Sequence, residues 1–245
     1  MQNASRGRPP GAAAPQSDPS ADAPRTVLQA SDPTATPAIW GDAFPVAVWR
    51  PVLGERPVTV GCEGRGASLH GAHDGRAVRL ATLPAGGRIL TPAELAQDWL
   101  WVEGAHGAVT WTIDEQITLP PVTAVVPTFR RERDALAQVR RFLAMDTVTR
   151  VVVVDQGGTL EAMPAFRTLQ EAHEELHLVS QPNLGGSGGY ARGMLEAASD
   201  PGAAILLSDD DAVLSAESLR RMVTLQSSIT APHLHPHCQD RKSVV

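Results

Sequence analysis

From residue 120 onward, short apolar runs alternate with stretches whose apolar positions recur every three or four residues. Residues 122–126 read as a fully buried strand, and over 132–145 Leu136, Val139 and Leu143 share one helical face. The pattern then repeats as strand 151–154, helix 163–175, strand 176–179, helix 190–198, strand 203–207 and helix 216–225. Strands and helices in strict turn predict a parallel sheet, because a parallel pair needs a crossover and the crossover helix covers the sheet. Ligands of such sheets sit beyond the carboxyl ends of the strands.

Residues 38–119 have a different rhythm. Segments 44–49, 58–60, 77–80, 99–102 and 109–113 are short, several alternate apolar with polar positions, and Gly, Pro and Asp separate them. They predict a β-sandwich, with Gly86 and Gly87 in a turn. Thr91, Pro92 and Glu94 have capping-box form and predict one helical turn within it. Four tryptophans fall between Trp49 and Trp111; they serve either as core or as a carbohydrate-stacking surface. Residues 1–37, rich in Ala, Pro, Ser and Asp, bury too little apolar surface to offset the entropy of ordering and are expected to be disordered. The expected fold is therefore α/β, with a β-sandwich at 38–119 and a parallel-sheet domain at 120–226.

Composition narrows the function. A net charge of −6 argues against a nucleic-acid partner, which selects a basic face. Cys62 and Cys238 lie far apart and make no disulfide framework, so a reducing compartment is the default. No apolar run approaches the roughly 20 residues that span a bilayer, and the N-terminus lacks the apolar stretch of a secretory signal.

The candidate chemistry gathers where the strands end. Asp209, Asp210 and Asp211 follow the fourth strand, and adjacent carboxylates repel unless a cation or a basic group lies between them. Oxygen ligands suit Mg2+ or Mn2+, and alternation along a loop favours Asp209 and Asp211 as the ligands. A solvated helix start is the competing reading. Gly185, Gly186, Gly188 and Gly189 form a glycine-rich turn that lets backbone approach a large ligand. The same residues satisfy G-x-G-x-x-A from Gly186 to Ala191, with Asp209 near the spacing of a ribose-binding acid, so a dinucleotide fold is a second reading. Against it, two strand–helix units precede the glycines and three acids are present where one would serve. Arg130 and Arg131 can hold phosphate or a base edge through a bidentate fork. Asp155 is a candidate acceptor for a nucleobase N–H, or an exposed turn residue.

Pro127-Thr-Phe-Arg-Arg131, Asp155-Gln-Gly and the aspartate triplet resemble the inverting family 2 glycosyltransferases of the GT-A fold. Gln181-Pro-Asn-Leu-Gly-Gly-Ser-Gly-Gly-Tyr190 resembles, more particularly, the polymerising galactofuranosyltransferases of actinobacterial arabinogalactan synthesis, which carry a β-sandwich before the GT-A (Rossmann-like) domain. That resemblance implies a UDP-galactofuranose donor and a lipid-linked galactan acceptor. It implies UDP-sugar contacts from Thr128, Phe129, Arg131, Asp155, Asn183, Gly185, Gly186 and Asp209, with Mn2+ or Mg2+ on Asp209 and Asp211. It implies a cytoplasmic location with peripheral contact at the inner face of the plasma membrane, and it is compatible with a homo-oligomer.

The family's base and its metal-site histidine lie well downstream of the aspartates. His233, His235, His237 and Cys238 have metal-like spacing but are not expected to replace them. The final hexapeptide, Asp240-Arg-Lys-Ser-Val-Val245, matches a reading frame of a common sequencing adapter and holds the sole lysine, Lys242. Residues 227–245 are therefore expected to be foreign to the protein, the GT-A domain incomplete, and the chain as written a donor-binding fragment without transfer activity.

Overall fold

The computed structural model describes residues 24–32 and 42–230. In its second half β8 (Val122–Thr128), β9 (Val148–Asp155), β10 (Leu176–Ser180) and β11 (Ala204–Leu207) form a parallel sheet in the order β10-β9-β8-β11. Its helices are α2 (Glu132–Leu143), α3 (Pro164–Ala172), α4 (Gly185–Ala197) and α5 (Ala216–Thr230).

Period-two alternation divides this sheet's side chains between two faces. Val122, Ala124, Val126, Val151 and Val153 pack with Val139 and Phe142 of α2, Phe166 of α3, and Leu219 and Val223 of α5. Val125, Val152 and Val154 turn the other way, onto Ala197 and Tyr190 of α4. The chain steps from β8 to β9 to β10, then returns through α4 to β11 on the far side of β8. Between β8 and β11 the winding reverses, which opens a crevice at the carboxyl ends of these two strands.

The first half holds two antiparallel sheets. One has the order β1-β7-β2-β5, from Thr26–Ala30, Thr110–Ile113, Val58–Gly61 and Arg88–Ile89. The other has the order β4-β3-β6, from Arg76–Thr82, Ser68–His73 and Trp99–Glu103. Leu28, Val60, Leu69, Leu100 and Trp111 from both sheets meet in one apolar cluster. Trp49 and Trp111 are buried there and each stacks with Phe44, at 6.1 and 4.8 Å, so for these two the core reading holds. The capping box forms reciprocally in a turn: Thr91 N–H donates to Glu94 Oε2 at 2.8 Å, and Glu94 N–H to Thr91 Oγ1 at 3.3 Å.

Three expectations need correction. Residues 44–49 are not a strand: α1 (Val46–Leu53) buries Val46, Trp49, Val52 and Leu53, a helical spacing that Val-Ala-Val-Trp conceals. Residues 26–30, expected within a structureless segment, form β1 because they complete a sheet edge against β7. Helix α5 continues through 227–230, past the expected loss of periodicity. The rest of the 1–37 expectation, apart from residues 24–32, and that for 231–245, including His233, His235, His237 and Cys238, lie outside the described residues. Among the described residues no helix is long and apolar enough to cross a membrane.

Candidate active site

A cavity of about 230 Å³ occupies the crevice between β8 and β11. Thr128, Phe129 and Arg131 line it from the end of β8, Asn183, Gly185, Gly186 and Tyr190 from the start of α4, and Asp209 and Asp210 from the loop after β11. Seven of the residues expected from the sequence thus come together. Asp155 and Asp211 do not line it.

The aspartate triplet alternates as a loop should. Asp210 turns inward, where it accepts a hydrogen bond from Thr128 Oγ1 at 2.7 Å and pairs with Arg131 at 3.2 Å. Asp209 and Asp211 face solvent. Asp209 Oδ1 accepts from the Tyr190 hydroxyl at 2.6 Å, and Asp211 Oδ2 from Arg131 at 3.0 Å. Arg131 is therefore a built-in counter-ion for two of the three repelling carboxylates, Asp210 and Asp211. Its guanidinium is held above its ordinary pKa, first by Asp134, then by Asp211 and Asp210. Burial pushes the Tyr190 phenol well above its usual range, and the hydrogen bond to Asp209 adds to this.

Asp155 does a different job from the one expected. It is fully buried, and its carboxylate accepts four backbone N–H groups: Gly157 and Gly158 on Oδ1 at 2.9 and 3.0 Å, Thr159 and Leu160 on Oδ2, both at 2.8 Å. Four donors fill the acceptor sites of a carboxylate, leaving none for a nucleobase. Asp155 builds the loop after β9. The neighbouring Gln156, which sequence reasoning passed over, does reach the cavity. Its Oε1 accepts from Leu184 N–H at 2.9 Å and Gln181 Nε2 at 3.2 Å, tying the two loops together.

The glycine run is also not a loop. It forms the first turns of α4, which starts at Gly185 rather than at Tyr190. Two kinds of glycine share it. A Cβ on Gly189 would lie 2.6 Å from Pro127 Cβ, and one on Gly193 would lie 2.1 Å from Val125 Cγ1, so these let the helix close on the sheet. Gly185 and Gly186 meet nothing within 4 Å and face the cavity. No side chain at Leu184 caps the helix, and Asn183 Oδ1 takes the Gly185 N–H at 3.0 Å. The N-terminus of α4 thus presents backbone donors and the positive end of its dipole to the cavity, a setting for anionic oxygens.

Arg130 follows Phe129 with φ of 55°, a left-handed conformation uncommon for any residue but glycine, and stacks over the Phe129 ring at 5.1 Å.

Among the described residues, His73 and Asp74 of the β3–β4 hairpin and Asp98 just before β6 have ligand atoms within 4.8 Å of one another and could hold a cation. Their geometry is explained without one. His73 pairs with Asp98 at 3.3 Å, and Asp98 accepts the Asp74 N–H at 3.0 Å to close the turn.

The profile of glycosyltransferase-like family 2 matches residues 120–245, just over half the chain. The chain belongs to this family. Relatives of the chain include galactofuranosyltransferase GlfT2 of Mycolicibacterium smegmatis, 35% identical over 120 residues, which are 46% of this chain and 19% of that protein. GlfT2 of Mycobacterium tuberculosis is 30% identical over 246 aligned positions, covering 86% of this chain and 38% of that protein. The chain thus spans about two fifths or less of these relatives' length. Among solved structures, mannosyltransferase PcManGT from Pyrobaculum calidifontis in complex with GDP-Man and Mn2+ is 22% identical with a TM-score of 0.35, covering 43% of this chain and 33% of that one. Membership of this family favours the glycosyltransferase resemblance over the dinucleotide-binding fold.

Proposed function

We propose that the cavity between β8 and β11 binds the UDP portion of a UDP-sugar, UDP-galactofuranose, together with Mn2+ or Mg2+. The observation that carries this is the opposed placement of two partial sites across one crevice. Backbone donors of α4 stand on one wall and the solvent-facing Asp209 on the other, while Asp211, outside the lining, is joined to the cavity through Arg131. The donor set suits the cation in kind: two exposed carboxylates offering oxygen ligands, on either side of an inward Asp210 in sequence. When bound, the cation would offset charge on the diphosphate as UDP departs.

The chain's own residues prepare for this. The α4 N-terminus receives phosphate oxygens, and Gly185 and Gly186 leave room for them. Phe129, 40% exposed, offers an apolar face at the cavity wall. Arg131 holds Asp211 in place until a cation replaces it. The names of the GlfT2 relatives support galactofuranose as the sugar; a lipid-linked galactan acceptor and inverting transfer by the whole protein complete the reading. Transfer needs a base for the acceptor hydroxyl. Among the described residues the three carboxylates here are already engaged by Tyr190, Thr128 and Arg131, so we assign them to the donor half of the reaction. We further read residues 38–119 as a β-sandwich domain and 120–226 as donor-binding GT-A sequence, acting in the cytoplasm at the membrane's inner face.

Calorimetric titration of the chain with UDP, GDP and NAD, each with and without Mn2+, tests the reading. Metal-dependent binding of UDP in preference to the other two supports it. Metal-independent preference for NAD would overturn it.

A further inference from the structure

The loop that carries the three aspartates runs from Ser208 to Ser215 and is pinned at both ends. At its start Ser208 N–H donates to Val125 O at 3.0 Å, and Gln138 Nε2 donates to Ser208 Oγ at 3.0 Å. These are contacts within the parallel-sheet half. At its end the Ser215 hydroxyl donates to Asp32 Oδ2 in a short hydrogen bond that crosses 183 positions of sequence. Ser215 Oγ also accepts the Ser218 N–H at 3.0 Å, capping α5.

Asp32 belongs to the other half of the molecule. It follows β1, which pairs with β7, and is only 6% exposed. Burying a carboxylate is costly unless it is partnered, and a partner here is the loop end. The attachment continues along α5. Ala30 N–H donates to Glu217 Oε1 at 2.7 Å, and Glu217 is gripped by Arg220 at 2.7 and 2.9 Å and by Arg221 at 3.5 Å. Arg220 Nη1 returns to Val27 O, and Arg221 Nη2 to Ala30 O at 3.5 Å. Leu225 of α5 packs on the first-half core, while Leu219 and Val223 lie in the second. The helix is thus fixed from both sides, and Asp32 sets the point where the aspartate loop must enter it.

We propose that Asp32 is a positioning residue for the donor site. Acting through Ser215, it fixes 212–215 and with them the outward direction of Asp209 and Asp211. This rests on the UDP-sugar reading above for its functional consequence, and on geometry alone for its effect on the loop.

The test uses the full chain with Ser215→Asp, Asp32→Asn and the double variant. Aspartate keeps the cap acceptor at position 215 but sets a second carboxylate against Asp32. In the double variant the amide introduced at 32 can donate to the carboxylate introduced at 215. Two readouts are taken: UDP affinity with and without Mn2+, and amide hydrogen exchange over 209–215. Ser215→Asp should weaken Mn2+-dependent UDP binding about tenfold and speed exchange in the loop, and the double variant should recover most of both. Metal-free UDP binding should change little. Wild-type exchange and affinity in Ser215→Asp would overturn the proposal, as would a double variant no better than the single. If the wild-type chain binds no UDP with Mn2+, the donor-site reading fails, and the exchange comparison still decides whether Asp32 holds the loop.

Discussion

The Tyr190 hydroxyl donates to Asp209 Oδ1 at 2.6 Å, joining the helix that begins at the glycines to the loop that carries the aspartates. Tyr190 is the only tyrosine in the chain, so its ionisation can be followed by absorbance without ambiguity. Burial, then the neighbouring carboxylate, raises its pKa well above the usual value of about 10. A raised folded-state pKa favours the protonated form. Its contribution to stability is complete below about pH 10 and is lost as pH rises through the folded pKa. Asp209→Asn should bring the titration part of the way down, since burial is the larger cause. An ordinary titration in the wild-type chain would contradict this.

Arg131 faces a choice of partners. It pairs with Asp210 at 3.2 Å and Asp211 at 3.0 Å, the carboxylates that a cation would otherwise neutralise. Arg131→Gln should raise affinity for Mn2+ alone by about threefold, because the acids lose their built-in counter-ion. The same change should weaken UDP binding in the presence of Mn2+, because a basic group at the cavity wall is gone. Calorimetry with each ligand separates the two. Parallel changes in both affinities would be the wrong result.

The glycines of α4 divide by what surrounds them. Gly193→Ala should cost about 1–3 kcal/mol in denaturant unfolding, since the added Cβ lies 2.1 Å from a sheet side chain. Gly186→Ala meets open space, and helix propensity should make it neutral or more stable by up to about 1 kcal/mol. It should nonetheless weaken UDP binding, because its methyl group projects into the cavity. Equal stability losses at both positions would contradict the division.

Asp155→Asn tests whether that carboxylate builds a loop or reads a base. The amide group would confront two N–H donors, Thr159 and Leu160, and leave them unpaired at a cost of about 2–4 kcal/mol. Unchanged stability with reduced UDP affinity would instead return Asp155 to the nucleotide.

The parallel-sheet half was legible because strand and helix periods differ and the segments are long. Even Asp209 and Asp211, facing out around an inward Asp210, follow from alternation along a loop. What could not be read depended on partners distant in sequence. Nothing near Asp155 foretells that its own loop will fold back to spend all four acceptor sites. Four consecutive Val, Ala and Trp positions in α1 fit a strand until the burial of Val52 and Leu53 is known. Strand β1 was hidden because its pairing partner lies more than 80 residues later, and only the sheet makes its edge worth ordering. Gln156 stands inside the Asp155-Gln-Gly motif, but nothing in that motif marks its amide for the cavity. Its place at the cavity comes from the crossing of two loops.

The central claim, that Asp209 and Asp211 present a divalent cation to a bound nucleotide diphosphate, is tested most directly by measuring UDP affinity against Mn2+ concentration. The comparison is between the wild-type chain and the Asp209→Asn and Asp211→Asn variants. The account predicts that Mn2+ tightens UDP binding to the wild-type chain and that each variant loses this enhancement while keeping its fold. UDP affinity indifferent to Mn2+ in the wild type, or an enhancement that survives both substitutions, would contradict it.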